Sequence, residues 1–169
     1  MNKISFKLDK GVVLPSYATP NSAGMDLTFE SVSQVWSINP YSTSFIETKN
    51  KIFKEQGFYM LMPGERVLVD TGIQLTSCDP DLMLQLTLRS SLGLKKGVII
   101  PNSPGIIDAD YRGKIGVILL NPTQEVIEFT RGERIAQLVP ILKPTVQIIE
   151  QNEVEHTLRG SGGFGSTGK

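Results

Sequence analysis

Histidine and cysteine are nearly missing from this chain: His156 and Cys78 are the only examples in 169 residues. A single cysteine rules out an internal disulfide framework and fits a reducing compartment. One Cys and one His cannot close a tetrahedral zinc site. A Ser-His-Asp set would have to use His156, which sits in a polar approach to the C-terminus and reads as a solvated bystander. Net charge is absent too, since 17 basic side chains balance 17 acidic ones. No global field therefore draws in nucleic acid or an anionic membrane. No apolar run approaches membrane-spanning length, and Met1-Asn2-Lys3-Ile4-Ser5-Phe6-Lys7 is too polar for a signal-peptide core. The expectation is one soluble domain, cytoplasmic or otherwise intracellular, the nucleus included.

What is present is β. Residues 3 to 8 alternate in the period of a half-buried strand, and so do Leu82 to Leu88. Apolar runs at Met25 to Phe29, Val67 to Thr71, Val98 to Ile100, Ile115 to Leu120, Val126 to Phe129, Ile135 to Leu142 and Val146 to Ile148 read as further strands. Ten prolines and sixteen glycines punctuate them, and no long amphipathic helix separates them. That pattern predicts an all-β sandwich or barrel over residues 1–150 and excludes a nucleotide-binding βαβ unit.

Two stretches break the rhythm. Residues 31 to 57 are rich in Ser, Thr and Asn and read as a surface insertion, with a short helix from Phe45 to Lys54 as a weak option. From Gln151 the chain turns polar and glycine-rich, the composition of a flexible tail over 151–169. Gly163 to Lys169 fits the start of a phosphate-loop pattern, but a strand before it and a helix after it are missing, so the match is rejected.

The stretch Gly105 to Gly113 carries the most chemistry. An apolar run, two carboxylates, an aromatic and a glycine precede a second apolar run, which reads as a hairpin. Asp108 and Asp110 have one parity on a strand and would share a face. By itself this is equally the composition of a solvated turn. Carboxylates, Arg, Ser and glycine backbone suit attack of water on a phosphoryl centre, where positioning and charge neutralisation supply most of the rate.

Five segments, in order, resemble the five motifs of the homotrimeric dUTP pyrophosphatase (dUTPase) family. They are Ala23-Gly24-Met25-Asp26-Leu27; Arg89-Ser90-Ser91-Leu92-Gly93; Gly105 to Gly113; Arg131-Gly132-Glu133-Arg134-Ile135-Ala136-Gln137-Leu138; and Arg159 to Gly168. The resemblance implies a jelly-roll β-barrel, three copies around an axis, and active sites at subunit junctions. It implies conversion of dUTP and water to dUMP and pyrophosphate, which limits uracil in DNA and supplies dUMP for dTTP synthesis.

Carried onto this chain, the resemblance makes Asp108 the base for the attacking water, for which hydrogen-bond reach is the requirement. Arg89, Ser90 and Ser91 would hold phosphates. Backbone around Gly105, Ile106, Ile107 and Gly116, together with Asn102, would read the pyrimidine edge. Tyr111 would lie against the deoxyribose and exclude a 2′-hydroxyl. Mg²⁺ would ride on the substrate's phosphates and waters, with Asp26 touching it through water and Gln137 close to metal or phosphate. In the tail, Phe164 would stack on uracil, Arg159 would meet the γ-phosphate, and Gly165 would let backbone amides close in. The 151–169 segment becomes an arm that completes the site on substrate binding.

Two departures stand out. Leu88 replaces the proline common before the Arg-Ser pair, and the 31–57 insertion is longer than usual, leaving a partner for that segment open. Three rival readings compete, of which a generic jelly-roll structural trimer explains none of the Arg, Ser and Gly placements. A dCTP deaminase shares the Arg-Ser-Ser and third-motif features but needs a Glu where this chain has Ile118. A trimeric binding or regulatory protein on the same scaffold would not need Asp108.

Overall fold

The computed structural model describes residues 2–38, 45–48 and 57–163. Along these run β1 (Ile4–Leu8), β2 (Met25–Thr28), β3 (Ser31–Ile38), β4 (Phe45–Thr48), β5 (Phe58–Leu61), β6 (Arg66–Cys78) and β7 (Leu82–Leu88). Helix α1 (Ser90–Lys96) follows, then β8 (Gly105–Ile107), β9 (Lys114–Leu120), β10 (Ile127–Thr130) and β11 (Arg134–Leu142). One sheet has the order β1-β6-β3-β4, with β9 also on β6. A second has the order β2-β11-β7-β8, and β10 pairs with β5 in a third. The expected jelly-roll-like all-β fold is what these sheets form.

Alternation decides which faces close on each other. Val67, Val69, Leu84, Leu86, Ile115, Val117, Leu119 and Leu138 are all buried, and each such side chain contributes about 1.5–3 kcal/mol of transfer free energy. Phe29 and Phe129 stack at 5.4 Å between centroids in the middle of this core. Lys96 lids Phe129, its Nζ 4.5 Å from the ring centroid and 2.7 Å from Glu133 Oε1. At thirteen residues, β6 is the hub. Its first half lies between β3 and β9, and its second half pairs β1.

Four expectations need correcting. The 31–57 segment is not wholly a surface insertion: β3 pairs β6 from Ser31 to Trp36 and buries Val35 in the core. A bulge between Val32 and Gln34 shifts the apolar phase there, which hid the strand in the pattern. Phe45–Thr48 is a strand paired with β3 and not a helix start; residues 49–56 lie outside the described residues. Val146 to Ile148 is no strand, because β11 ends at Leu142 and residues 143–158 are exposed. The last strand thus stops ahead of the expected boundary at 150. Finally, β8 and β9 do not form a hairpin. β8 pairs β7 in one sheet and β9 pairs β6 in another, so Asp108 to Gly113 arches between sheets.

Candidate active site

The arch explains why a cleft exists at all. Two strands of a hairpin bond each other along their facing edges, whereas strands that pair into different sheets leave those edges free to splay apart. Between the splayed ends lies a cleft of about 200 Å³ lined by Ile106, Ile107, Asp108, Tyr111, Ile115 and Gly116. β8 is an edge strand, so main-chain donors and acceptors there remain available to a ligand. Gly105 is buried against Leu86, and a Cβ on it would lie 3.5 Å from Asn102 Nδ2. That places Asn102 beside the strand that forms one wall. A Cβ on Gly116 would fall 2.7 Å from Leu68 Cδ1, so that side chain would have to shift to admit one.

β8 ends at Ile107, so Asp108 belongs to a turn in which Tyr111 N donates to Asp108 O at 3.1 Å. Shared strand parity therefore does not relate Asp108 to Asp110. Both carboxylates nevertheless line one groove with Met83 and Lys143, and Asp108 faces the cleft as well. Asp108 is exposed and stands at the junction of the two spaces.

A second cluster lies at the other end of β7. Gln137 is aligned with both Thr87 of β7 and Asp26 of β2. Asp26 Oδ1 is 3.2 Å from Arg89 Nε and accepts from Gln137 Nε2 at 3.4 Å; Asp26 Oδ2 accepts from Arg134 Nη1 at 3.0 Å. The approach of β2 to β11 is close because residue 24 is glycine: a Cβ there would sit 3.1 Å from both Gln137 Cβ and Val139 Cγ2. Ser90 and Ser91 open α1 directly after Arg89, exposed and with no acidic residue in the first turn. This is a half-buried carboxylate surrounded by cations and hydroxyls, a setting in which a polyanion meets few repulsive charges. Arg134 was not singled out from sequence as a site residue. Its place at the first position of β11, inside the fourth segment, was the available signal.

The two clusters do not meet within one chain. Ile107 aligns with Leu84, so Asp108 lies next to Met83, six strand residues from Arg89, or about 20 Å. Arg159 is exposed in a turn of its own, its Nε donating to Gly162 O at 3.0 Å. Phe164 and Gly165 lie outside the described residues. A groove of about 680 Å³ beside Lys95, Lys96 and Glu125 to Glu128 is lined by none of the candidate residues.

Known proteins match this arrangement. The dUTPase family model matches residues 54–168. A "Deoxyuridine 5'-triphosphate nucleotidohydrolase" of Hydrogenobaculum sp. (strain Y04AAS1) is 40% identical over 164 residues, covering 96% of this chain and 94% of its own. That of Methylocella silvestris is 42% identical over 155 residues, covering 92% and 82%. The chain belongs to the dUTPase family. Solved dUTPase structures share the fold at low identity. A Staphylococcus bacteriophage 80alpha dUTPase mutant with dUpNHpp has a TM-score of 0.75 at 24% identity, with both chains fully covered. A dUTPase mutant of phage phi11 of S. aureus, described with a structural Mg(II) ion, has a TM-score of 0.67 at 19%, covering 92% of this chain and all of its own.

The donor set suits a cation that the ligand brings with it. Among the described residues no trio of His, Cys, Asp or Glu could hold a metal directly. Asp26 already has both oxygens engaged by Arg89, Arg134 and Gln137. A Mg²⁺ bound to substrate phosphates and waters needs no protein cage, and a water can bridge to such a carboxylate. Cys78 does not line the cleft, and burial, with Asp79 beside it, pushes its thiol above the usual range. No helix among the described residues is long and apolar enough to cross a membrane.

Proposed function

We propose that the chain hydrolyses dUTP to dUMP and pyrophosphate in a site shared between copies. The observation that carries this reading is the nucleoside-sized cleft with Asp108 at its mouth and Tyr111 on its wall. Uracil pairs with the main chain of Gly105 to Ile107 and of Gly116, with Asn102 adding a side-chain contact. A donor or acceptor misplaced against these fixed groups is left unpaired, which rejects cytosine strongly. Tyr111 lies against C2′ of the sugar and leaves no space for a hydroxyl.

The α-phosphorus then sits beside Asp108. The carboxylate accepts a proton from a water as its oxygen bonds to that phosphorus, while the bond to the bridging oxygen breaks and pyrophosphate leaves. Asp26, through water, and Gln137 would face a Mg²⁺ carried by the substrate's phosphates, which would supply neutralisation of charge on the leaving group. Arg89, Ser90 and Ser91 hold the phosphate chain, and Asp26 with Gln137 fixes the guanidinium of Arg89. Because one chain keeps these groups about 20 Å from Asp108, the phosphate cluster facing a given Asp108 comes from a second copy. A closed trimer, in which every copy both gives and receives, satisfies that need. The arm from residue 151 supplies Arg159 to the γ-phosphate, Phe164 to the uracil face and Gly165 to the closing backbone.

A nucleotide panel assayed for pyrophosphate release, with and without Mg²⁺, tests the function. Release from dUTP alone among dUTP, UTP, dCTP and dTTP is expected, and intact dUTP would overturn it. Ammonia from dCTP would instead support the deaminase reading.

A further inference from the structure

The turn that carries Tyr111 is tied down by groups outside the five motif segments. Tyr111 folds back so that its hydroxyl donates to Lys114 O at 2.9 Å. Its ring occupies the space that a side chain at Gly113 would take: a Cβ there would fall 2.3 Å from the hydroxyl oxygen. Lys114 is anchored in turn. Its ammonium donates to Asp70 Oδ2 at 3.1 Å and to Asp9 Oδ2. Asp70 Oδ1 accepts from Gly72 N at 2.7 Å, and Asp9 N donates to Gly72 O at 2.8 Å, which fixes both carboxylates on one bend. On the other side of the turn Gln74 Nε2 donates to Arg112 O at 2.7 Å.

These side chains stand where the sheet gives no help. The β6–β9 ladder is interrupted between Asp70 and Gln74, whose partners on β9 are Gly116 and Lys114. The arch therefore leaves β9 at a point where main-chain pairing is thinned, and side chains carry the register there. Asp9 sits just past β1, Asp70 and Gln74 lie on β6, and Lys114 opens β9, so three separate strands converge on one ammonium and one carbonyl.

We propose that Lys114, held between Asp9 and Asp70, is a positioning residue that sets the sugar selectivity of the cleft by fixing Tyr111, with Gln74 steadying the opposite side of the turn. This rests on the reading that Tyr111 packs against the deoxyribose. The stability gained from so exposed a cluster is small, because Lys114 and Asp9 are about half exposed. Its effect is on position: an ångström of drift in the ring opens space for one hydroxyl, and a substrate misplaced by that much reacts much more slowly.

The test compares kcat/KM for dUTP and UTP in the full chain and in Lys114→Met, Lys114→Arg, Asp9→Asn and Tyr111→Ala. Lys114→Met keeps the aliphatic stem and loses both ion pairs. The expected result is a relative gain for UTP of about 3- to 10-fold in Lys114→Met, a smaller gain in Asp9→Asn and a return toward the starting ratio in Lys114→Arg. A relaxed ratio in Tyr111→Ala with an unmoved ratio in Lys114→Met and Asp9→Asn overturns the clamp and leaves the steric reading intact. An unmoved ratio in Tyr111→Ala sinks the steric reading and the clamp with it. Equal loss on both nucleotides, tracking a fall in Tm, would show a purely structural role and also overturn the proposal.

Discussion

In the proposed reaction, the two ends of β7 recognise by different means. At the Arg89 end, side chains do the work: a half-buried carboxylate holds two guanidiniums and an amide in a fixed fan. At the Met83 end, the backbone does it, through a cleft whose walls are the splayed edges of β8 and β9. Charge is matched by side-chain cations anchored on the sheet, and shape by the sheet itself. Phosphates are alike in every nucleoside triphosphate, so the proposed function assigns selectivity to the second end and grip to the first.

The sharpest way to break this comparison is to disable each end in a different chain. Asp108→Asn and Arg89→Ala should each lower turnover by about 10³-fold or more when alone, with dUTP binding largely kept in the first. Co-refolding equal amounts should restore about a quarter of the sites, because each site then draws its two halves from different copies. Activity that stays at the single-variant level would place both ends in one chain. Next in size, ending the chain after Leu158 should reduce kcat/KM for dUTP by about 10²-fold while Tm holds within a few degrees, since none of the described residues 159–163 is buried. A melted barrel would instead make the tail part of the core.

Smaller effects sharpen the first end. Asp26→Asn should raise KM for dUTP several-fold, because Arg89 and Arg134 lose their common anchor. It should cost about 1–2 kcal/mol of stability by urea titration. No change in KM would leave Asp26 a structural residue alone. Smallest is the pH dependence of the clamp. Asp9 and Asp70 raise the Lys114 pKa above the lysine value. Its contribution is thus fully present below the unfolded pKa of about 10.4 and is lost as pH rises through the raised folded value. The Tm difference between the parent and Lys114→Met should stay flat from pH 7 to about 10 and shrink only above that.

Much of this was legible beforehand because the informative signals are local. Alternation located β1 and β7, an apolar run located β11, and the five segments carried Asp26, Arg89, Asp108 and Gln137 in order. What escaped was pairing. Gly105–Ile107 and Lys114–Leu120 look like hairpin arms from their composition, yet each bonds a different strand, and nothing in their own residues names that partner. The bulge between Val32 and Gln34 concealed β3 by shifting its apolar phase. Val146 and Ile148 are apolar and exposed, so their composition suggested a strand that this chain alone does not pair. Lys114 escaped for the same reason as the arch. Its partners Asp9 and Asp70 are distant in sequence and meet only once β1, β6 and β9 are side by side.

The length of β7 has a consequence outside the chain that contains it. Removing two residues from Leu82–Leu88 would preserve which side chains face inward, so a single copy could still collapse around its core. It would also bring Arg89 about 7 Å nearer to Asp108, and a site shared between copies, as proposed, would no longer fit. In that proposal the strand is a ruler, cut to the spacing of neighbours and not to the needs of its own sheet.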